Sequence, residues 1–167
     1  TQSEDTYWNG TEAVSVMVVM RKTAQTSGGT HGDGLFVQTR NSGETGSWSW
    51  DITGDHTWGG EFGEVFSGAA SYSYPQKGIM LVRMNANGGS GQMAFHNGSS
   101  WSEKATWSSL PSSLPTNFDS INIFNFQGGS GNHDYVGTIC EIAYYKGTRI
   151  SDTERDAFTT YALSKFW

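Results

Sequence analysis

Three short stretches of the chain set a histidine close to an aspartate among turn-forming residues: Thr30-His31-Gly32-Asp33-Gly34, Gly54-Asp55-His56-Thr57-Trp58 and Asn132-His133-Asp134. Carboxylates, carboxamides and imidazoles in such turns can hydrogen-bond the hydroxyls of a sugar, and hard oxygen ligands can hold Ca2+. Trp58 lies in the same stretch as Asp55 and His56. One loop therefore offers a flat apolar face and fixed polar groups together, which is what recognition of a sugar ring requires. Trp101, in the stretch Ser99-Ser100-Trp101-Ser102, reads as lying in a Ser-rich turn and offers a second flat, exposed face. The candidate ligand-binding residues are Asp33, Asp55, His56, Trp58, Trp101, Asn132, His133 and Asp134. The competing role is local, because Asp and Asn side chains make turns by accepting from nearby amides. No His-x-x-x-His or similar spacing supports a His/Asp metal site, and no cofactor is assigned from the sequence beyond the Ca2+ that such oxygen-rich loops can hold.

Catalysis has thinner support. A glycoside hydrolase needs two carboxyl groups flanking one bond, and the nearest pair here is Glu61-Phe62-Gly63-Glu64. Odd spacing sends the two to opposite faces of a regular strand. No Gly-x-Ser-x-Gly elbow is present. Cys140 sits mid-strand among apolar neighbours and reads as a core cysteine rather than a nucleophile. Binding is the favoured reading, with a divergent polysaccharide lyase or hydrolase as the catalytic alternative.

The composition narrows the partners. The 167 residues carry a net charge of −6, and no basic cluster is longer than Arg21-Lys22, so a surface that tracks phosphates has no source. The apolar run from Ala13 to Met20 is broken by Ser15 and is too short to cross a bilayer. A glycan or a cell-surface receptor is the expected partner, with no nucleic acid and no membrane insertion. With a single cysteine, no intrachain disulfide can form. The sequence begins at Thr1, which fits a processed chain or the ordered part of something longer.

The elements that must position these residues are strands. Aromatics reach 14% of the chain, charged residues only 16%, and 22 glycines supply turns. That profile favours an all-β class. Strands are expected at 13–22 (buried on both faces or nearly so), 35–39, 47–52, 61–66, 78–84, 92–96, 121–126 and 138–145. Ser47 to Ile52 alternates, so Trp48, Trp50 and Ile52 share one face and are expected in the core. The stretch 54–60 reads as a loop, and Asn97-Gly98 as a tight hairpin turn. Asn9-Gly10-Thr11 and Asn97-Gly98-Ser99 match the glycosylation sequon, though turn chemistry alone accounts for both.

One helix is expected, at about 152–165. Ser151-Asp152-Thr153-Glu154 has the form of a capping box. Asp152 and Glu154 suit the positive end of the helix dipole and Lys165 the negative end. Phe158, Tyr161, Ala162 and Phe166 recur at helical spacing and should form the docked face.

The C-terminal thirty residues carry a more specific pattern. Tyr135 to Tyr145, then Ile150-Ser151-Asp152-Thr153-Glu154-Arg155 and Tyr161-Ala162-Leu163-Ser164-Lys165-Phe166-Trp167, resemble the end of concanavalin A-like, laminin-G-like domains of bacterial and phage type. Val14 to Arg21, Gly78 to Met84 and Phe95-His96-Asn97-Gly98 resemble the family's first core strand, a later core strand and its hairpin, with His96 where the family has Val. The resemblance implies one domain over residues 1–167, an antiparallel two-sheet jelly-roll sandwich with a short C-terminal α-helix. It also implies a binding module for a glycan or receptor, at the extracellular or virion surface. A module that decorates or cements a virion or surface-protein assembly, touching neighbouring subunits, is the structural alternative.

Overall fold

A computed structural model describes residues 12–24, 33–40, 48–53, 57–62, 65–67, 76–85, 89–107, 118–122 and 136–167. In chain order these form β1 (Val14–Ala24), β2 (Asp33–Arg40), β3 (Trp48–Thr53), β4 (Thr57–Phe62), β5 (Val65–Ser67), β6 (Gln76–Met84), β7 (Gly91–His96), β8 (Trp101–Trp107), β9 (Phe118–Asn122), β10 (Val136–Lys146) and α1 (Asp152–Phe166). The fold is mostly β, built on an antiparallel five-stranded sheet in the order β10-β1-β6-β7-β8, with one helix at the C-terminus. The remaining strands pair antiparallel in the order β5-β4-β3-β2-β9.

β1 occupies the interior of the first sheet, and its composition shows why. Every residue from Val14 to Met20 is buried, including Ser15. Strand alternation sends Val14, Val16, Val18 and Met20 to one face and Met17 and Val19 to the other, so both faces are covered as the unbroken apolar run predicts. Met17 pairs with Leu81 of β6 and with Ala143 of β10, and Val19 with Ile79. These side chains and Ile150 meet Ala162 of α1, with Trp101, Phe158 and Phe166 packed around them. Each enclosed aliphatic side chain contributes about 1.5–3 kcal/mol of burial free energy. All five methionines of the chain belong to the buried core, where an unbranched, adaptable side chain fills irregular space.

Several details depart from the expectations. Cys140 is exposed, not core. The β1–β10 register passes from Val19↔Glu141 to Met20↔Ile139, so Cys140 is the extra residue of a β-bulge and has no partner on β1. The stretch expected as a loop at 54–60 is strand from Thr57 onward, and Trp101 opens β8 instead of lying in a turn. The β7–β8 connection is four residues long, 97–100, rather than a two-residue turn, because His96 pairs with Trp101. Gly98 has φ of +98°, where a side chain would be strained. Of the expected 121–126 strand, positions 123–126 lie outside the described residues. Glu61 lies in β4, and position 64 is outside the described residues.

The helix forms where the cap predicts. Ser151 Oγ accepts from the Glu154 amide at 3.3 Å, and Glu154 accepts from the Ser151 amide at 2.7 Å, closing the box in both directions. Thr159 and Ala162 are the buried helix residues, with Phe158 and Phe166 half-buried against the sheet. Thr159 tolerates burial because its hydroxyl donates to the Arg155 carbonyl at 2.7 Å. Tyr161, expected on the docked face, is 41% exposed. Its hydroxyl donates to Glu141 at 2.8 Å and accepts from Lys165 at 2.6 Å, so it straps the flank of the helix to β10.

Candidate functional site

Two regions hold clusters of polar groups, and of the predicted ligand residues only Trp101 falls in the first. The first is the junction between the five-stranded sheet and the start of α1. Arg83 on β6, nearly enclosed, donates to Gln92 at 2.7 Å and to the Ile150 carbonyl at 3.2 Å, and pairs with Asp152 at 2.7 Å. Gln92 in turn donates to Glu103 at 2.6 Å. Arg149 donates to the carbonyls of Arg83 and Ser90 at 3.0 and 3.4 Å. Burial, and then the neighbouring Arg83 charge, lower the pKa of Arg149, with Asp152 opposing. Asp152 is held below the usual carboxylate range, first by its hydrogen bond and charge pairing with Arg83 and then by Arg155. Beneath them Ser15 donates to the Thr148 carbonyl at 3.1 Å and accepts from the Ile150 amide at 3.0 Å. The buried hydroxyl thus satisfies backbone groups of the segment entering the helix. This polar lattice explains why an Ile-Ser-Asp-x-Glu-Arg sequence follows the last strand: it anchors Ile150 and aims the helix.

Trp101 belongs to this region. Its ring meets His96 edge-on at 5.2 Å and lies beneath the Arg155 guanidinium at 5.4 Å. The Nε1 atom is enclosed, with no hydrogen-bond partner among the described residues. Partial burial against the helix leaves it less of the open face assigned to it in a turn. His96 is buried, and its Nδ1 accepts from the Gly98 amide at 3.1 Å, so Nε2 carries the proton of a neutral ring. Burial first, then Arg155, lower its pKa below the ordinary 6.5, with Asp156 acting the other way. In the sequence His96 stands out only as the residue in the place of a family Val in the hairpin. Its place one residue before Asn-Gly was the available signal.

The second region is the strand set β5-β4-β3-β2-β9. Its register pairs Asp33 with Ile52, and Ile52 with Trp58. Two of the predicted ligand residues therefore occupy one cross-strand row, separated by Ile52 and about 9–10 Å apart at the backbone. That row stands where β2 begins and β3 ends. Alternating rows hold Ser49 opposite Glu61, and Asp51 opposite Gly59. These polar positions were passed over, although the Ser/Trp/Asp alternation at 47–52 already separated them from Trp48 and Trp50. Asp55, His56, Asn132, His133 and Asp134 lie outside the described residues. Among the described residues no group of three potential metal ligands occurs.

Comparison with solved structures matches the chain to the carbohydrate-binding module CBM40 of the Ruminococcus gnavus IT-sialidase. The TM-score is 0.65 at 15% identity, over 90% of this chain and 84% of that one. The leech intramolecular trans-sialidase, solved with 2,7-anhydro-Neu5Ac prepared by soaking with 3'-sialyllactose, matches at TM-score 0.59 and 15% identity, over 95% of this chain and 24% of that one. The likeness is one of fold. It is a jelly-roll-like β fold, shared across almost the whole chain. No family model matches. An 84-residue stretch, 47% of this chain, is 33% identical to a phosphoenolpyruvate carboxykinase (ATP) of Geobacter sp. (strain M21), of which it spans only 16%.

Proposed function

We propose that this chain is a non-catalytic carbohydrate-binding module acting at an extracellular, bacterial or virion surface. One observation carries the reading: the fold matches a sialidase carbohydrate-binding module over 90% of the chain and 84% of the module. The match covers nearly all of a unit named for binding and only 24% of a whole trans-sialidase. The sequence resemblance to laminin-G-like domains points the same way. In this reading the two strand sets pack face to face as a jelly-roll sandwich, and the approach of β4 and β5 to β8 supports that arrangement.

The binding site of this proposal lies at the end of the second strand set. Asp33 and Trp58 share a row there, on the strand face that also carries Ile52, Trp50 and Trp48. In this proposal that face is the ligand face and not the core face expected from the alternation, and Asp55 and His56 follow β3 in sequence. In the proposal Trp58 stacks on a sugar ring while the carboxylates and imidazole take its hydroxyls, with Asn132, His133 and Asp134 as further candidates for the same ligand. Trp101 contributes to helix docking instead. Purified wild type and Trp58→Ala are compared for binding to immobilised sialylated and neutral glycans, with a melting curve for each. The expected result is binding weakened by about 1–3 kcal/mol, as for a central anchor, with melting unchanged. An unfolded variant overturns the assignment and puts Trp58 in the core with Trp48 and Trp50.

A further inference from the structure

The β7–β8 hairpin holds a chemical arrangement unrelated to glycan binding. Residues 97–100 are Asn-Gly-Ser-Ser, and Asn97 is exposed. Its Oδ1 accepts from the amides of Ser99 at 2.9 Å and Ser100 at 3.1 Å. The next backbone nitrogen, that of Gly98, donates to His96 Nδ1 at 3.1 Å. A base thus sits on the proton of a nitrogen adjacent to an amide carbon. Two donors sit on the oxygen where negative charge would develop if that nitrogen attacked. No hydrogen bond among the described residues holds Asn97 Nδ2, the amide that would leave. Glycine at position 98 removes the Cβ that would shield the attacking nitrogen.

We propose that Asn97 is a self-modification site, at which His96 assists cyclisation onto the Gly98 nitrogen and yields a succinimide that solvent water opens to aspartate or isoaspartate. His96 Nδ1 takes the Gly98 amide proton as the nitrogen bonds to Asn97 Cγ. The Ser99 and Ser100 amides stabilise the oxyanion on Oδ1, as an oxyanion hole does. Collapse breaks the Cγ–Nδ2 bond, and the proton held by His96 leaves with Nδ2 as ammonia. Water then adds to one imide carbonyl, leaving a new carboxylate at position 97. No redox partner is required.

The surroundings keep His96 a free base at neutral pH. Arg155 and Asp156 face it from α1 and Trp101 from β8. On the flanking strands, Glu103 is bonded to Gln92, and Lys77 lies over the Trp167 ring at 4.2 Å. Trp167 itself covers the turn: a Cβ on Gly98 would come within 2.6 Å of its Nε1. The modification would therefore place negative charge and, in isoaspartate, an extra backbone methylene under the C-terminal residue.

The test is peptide mapping of intact folded protein held in buffers across neutral pH, resolving Asn, succinimide, Asp and isoaspartate at position 97. A synthetic peptide spanning the hairpin, and Asn9-Gly10 and Asn87-Gly88 of the same chain, serve as references. Conversion at Asn97 in the folded protein is expected to match or exceed that of the peptide. Its rate should level off above the His96 titration, whereas the peptide rate climbs with hydroxide. His96→Gln should slow it on the order of a hundredfold, the lower range for a placed general base. If that variant does not fold, the wild-type pH profile decides. A folded-state rate far below the peptide's, or one that climbs with hydroxide throughout, overturns the proposal.

Discussion

His96 shows how one residue can join packing to solution behaviour. It is buried beside Trp101, and its Nδ1 is committed to accepting from Gly98. The folded chain therefore resists the proton that the unfolded chain accepts near the ordinary value of 6.5. Because the folded pKa is the lower one, the stabilisation is complete above that ordinary value and is lost as pH falls below it. Denaturant titrations between about pH 8 and 5 should show stability declining toward acid, with the decline flattened in His96→Gln. Equal declines in both proteins would contradict the buried neutral ring. The half-buried Glu141 and the exposed Asp152 and Glu154 are all shifted downward, so their contribution is lost at more acid pH and does not confuse this window.

At the scale of elements, α1 is both the most legible and the most testable part of the chain. The capping box, the dipole-matched charges and the start at 152 follow from local chemistry, and local chemistry is what a sequence displays; the end at Phe166 lies one residue past the expected 165. The docked face was less legible. Tyr161 was expected inward, yet its hydroxyl and the Glu141–Lys165 pair draw it to the flank, a contact made across twenty residues of sequence. Cys140 was misjudged for a related reason, since apolar neighbours cannot reveal a bulge set by the register against β1. Ser151→Ala should cost about 1 kcal/mol through the lost cap. Phe158→Ala should cost about 2 kcal/mol, short of the roughly 3–5 for a fully enclosed Phe because the ring is half-buried. Urea unfolding of both variants checks this, and equal small shifts would show that the helix is not docked through Phe158.

For the whole molecule, four strands of the first sheet, β1, β6, β7 and β10, could be read from apolar runs, because burial on both faces leaves so few alternatives for a segment like Val14 to Met20. The fifth, β8, is mostly polar between Trp101 and Trp107 and carries no such run. The proposed site was harder to read. Asp33 and Trp58 are 25 positions apart in sequence, and only antiparallel pairing through Ile52 sets them in one row. Turn-forming residues also look alike whether they serve a ligand or only a turn. The fold likeness to a sialidase carbohydrate-binding module therefore carries the functional reading, and a glycan array tests it most directly. The folded chain, labelled at an engineered tag rather than at Cys140, is applied to arrayed sialylated, neutral and acidic glycans, and the bound glycans are then checked for cleavage. A carbohydrate-binding module should show saturable binding to a defined subset of glycans that are recovered intact. No binding to any glycan on the array, or recovery of cleaved products, would contradict this reading.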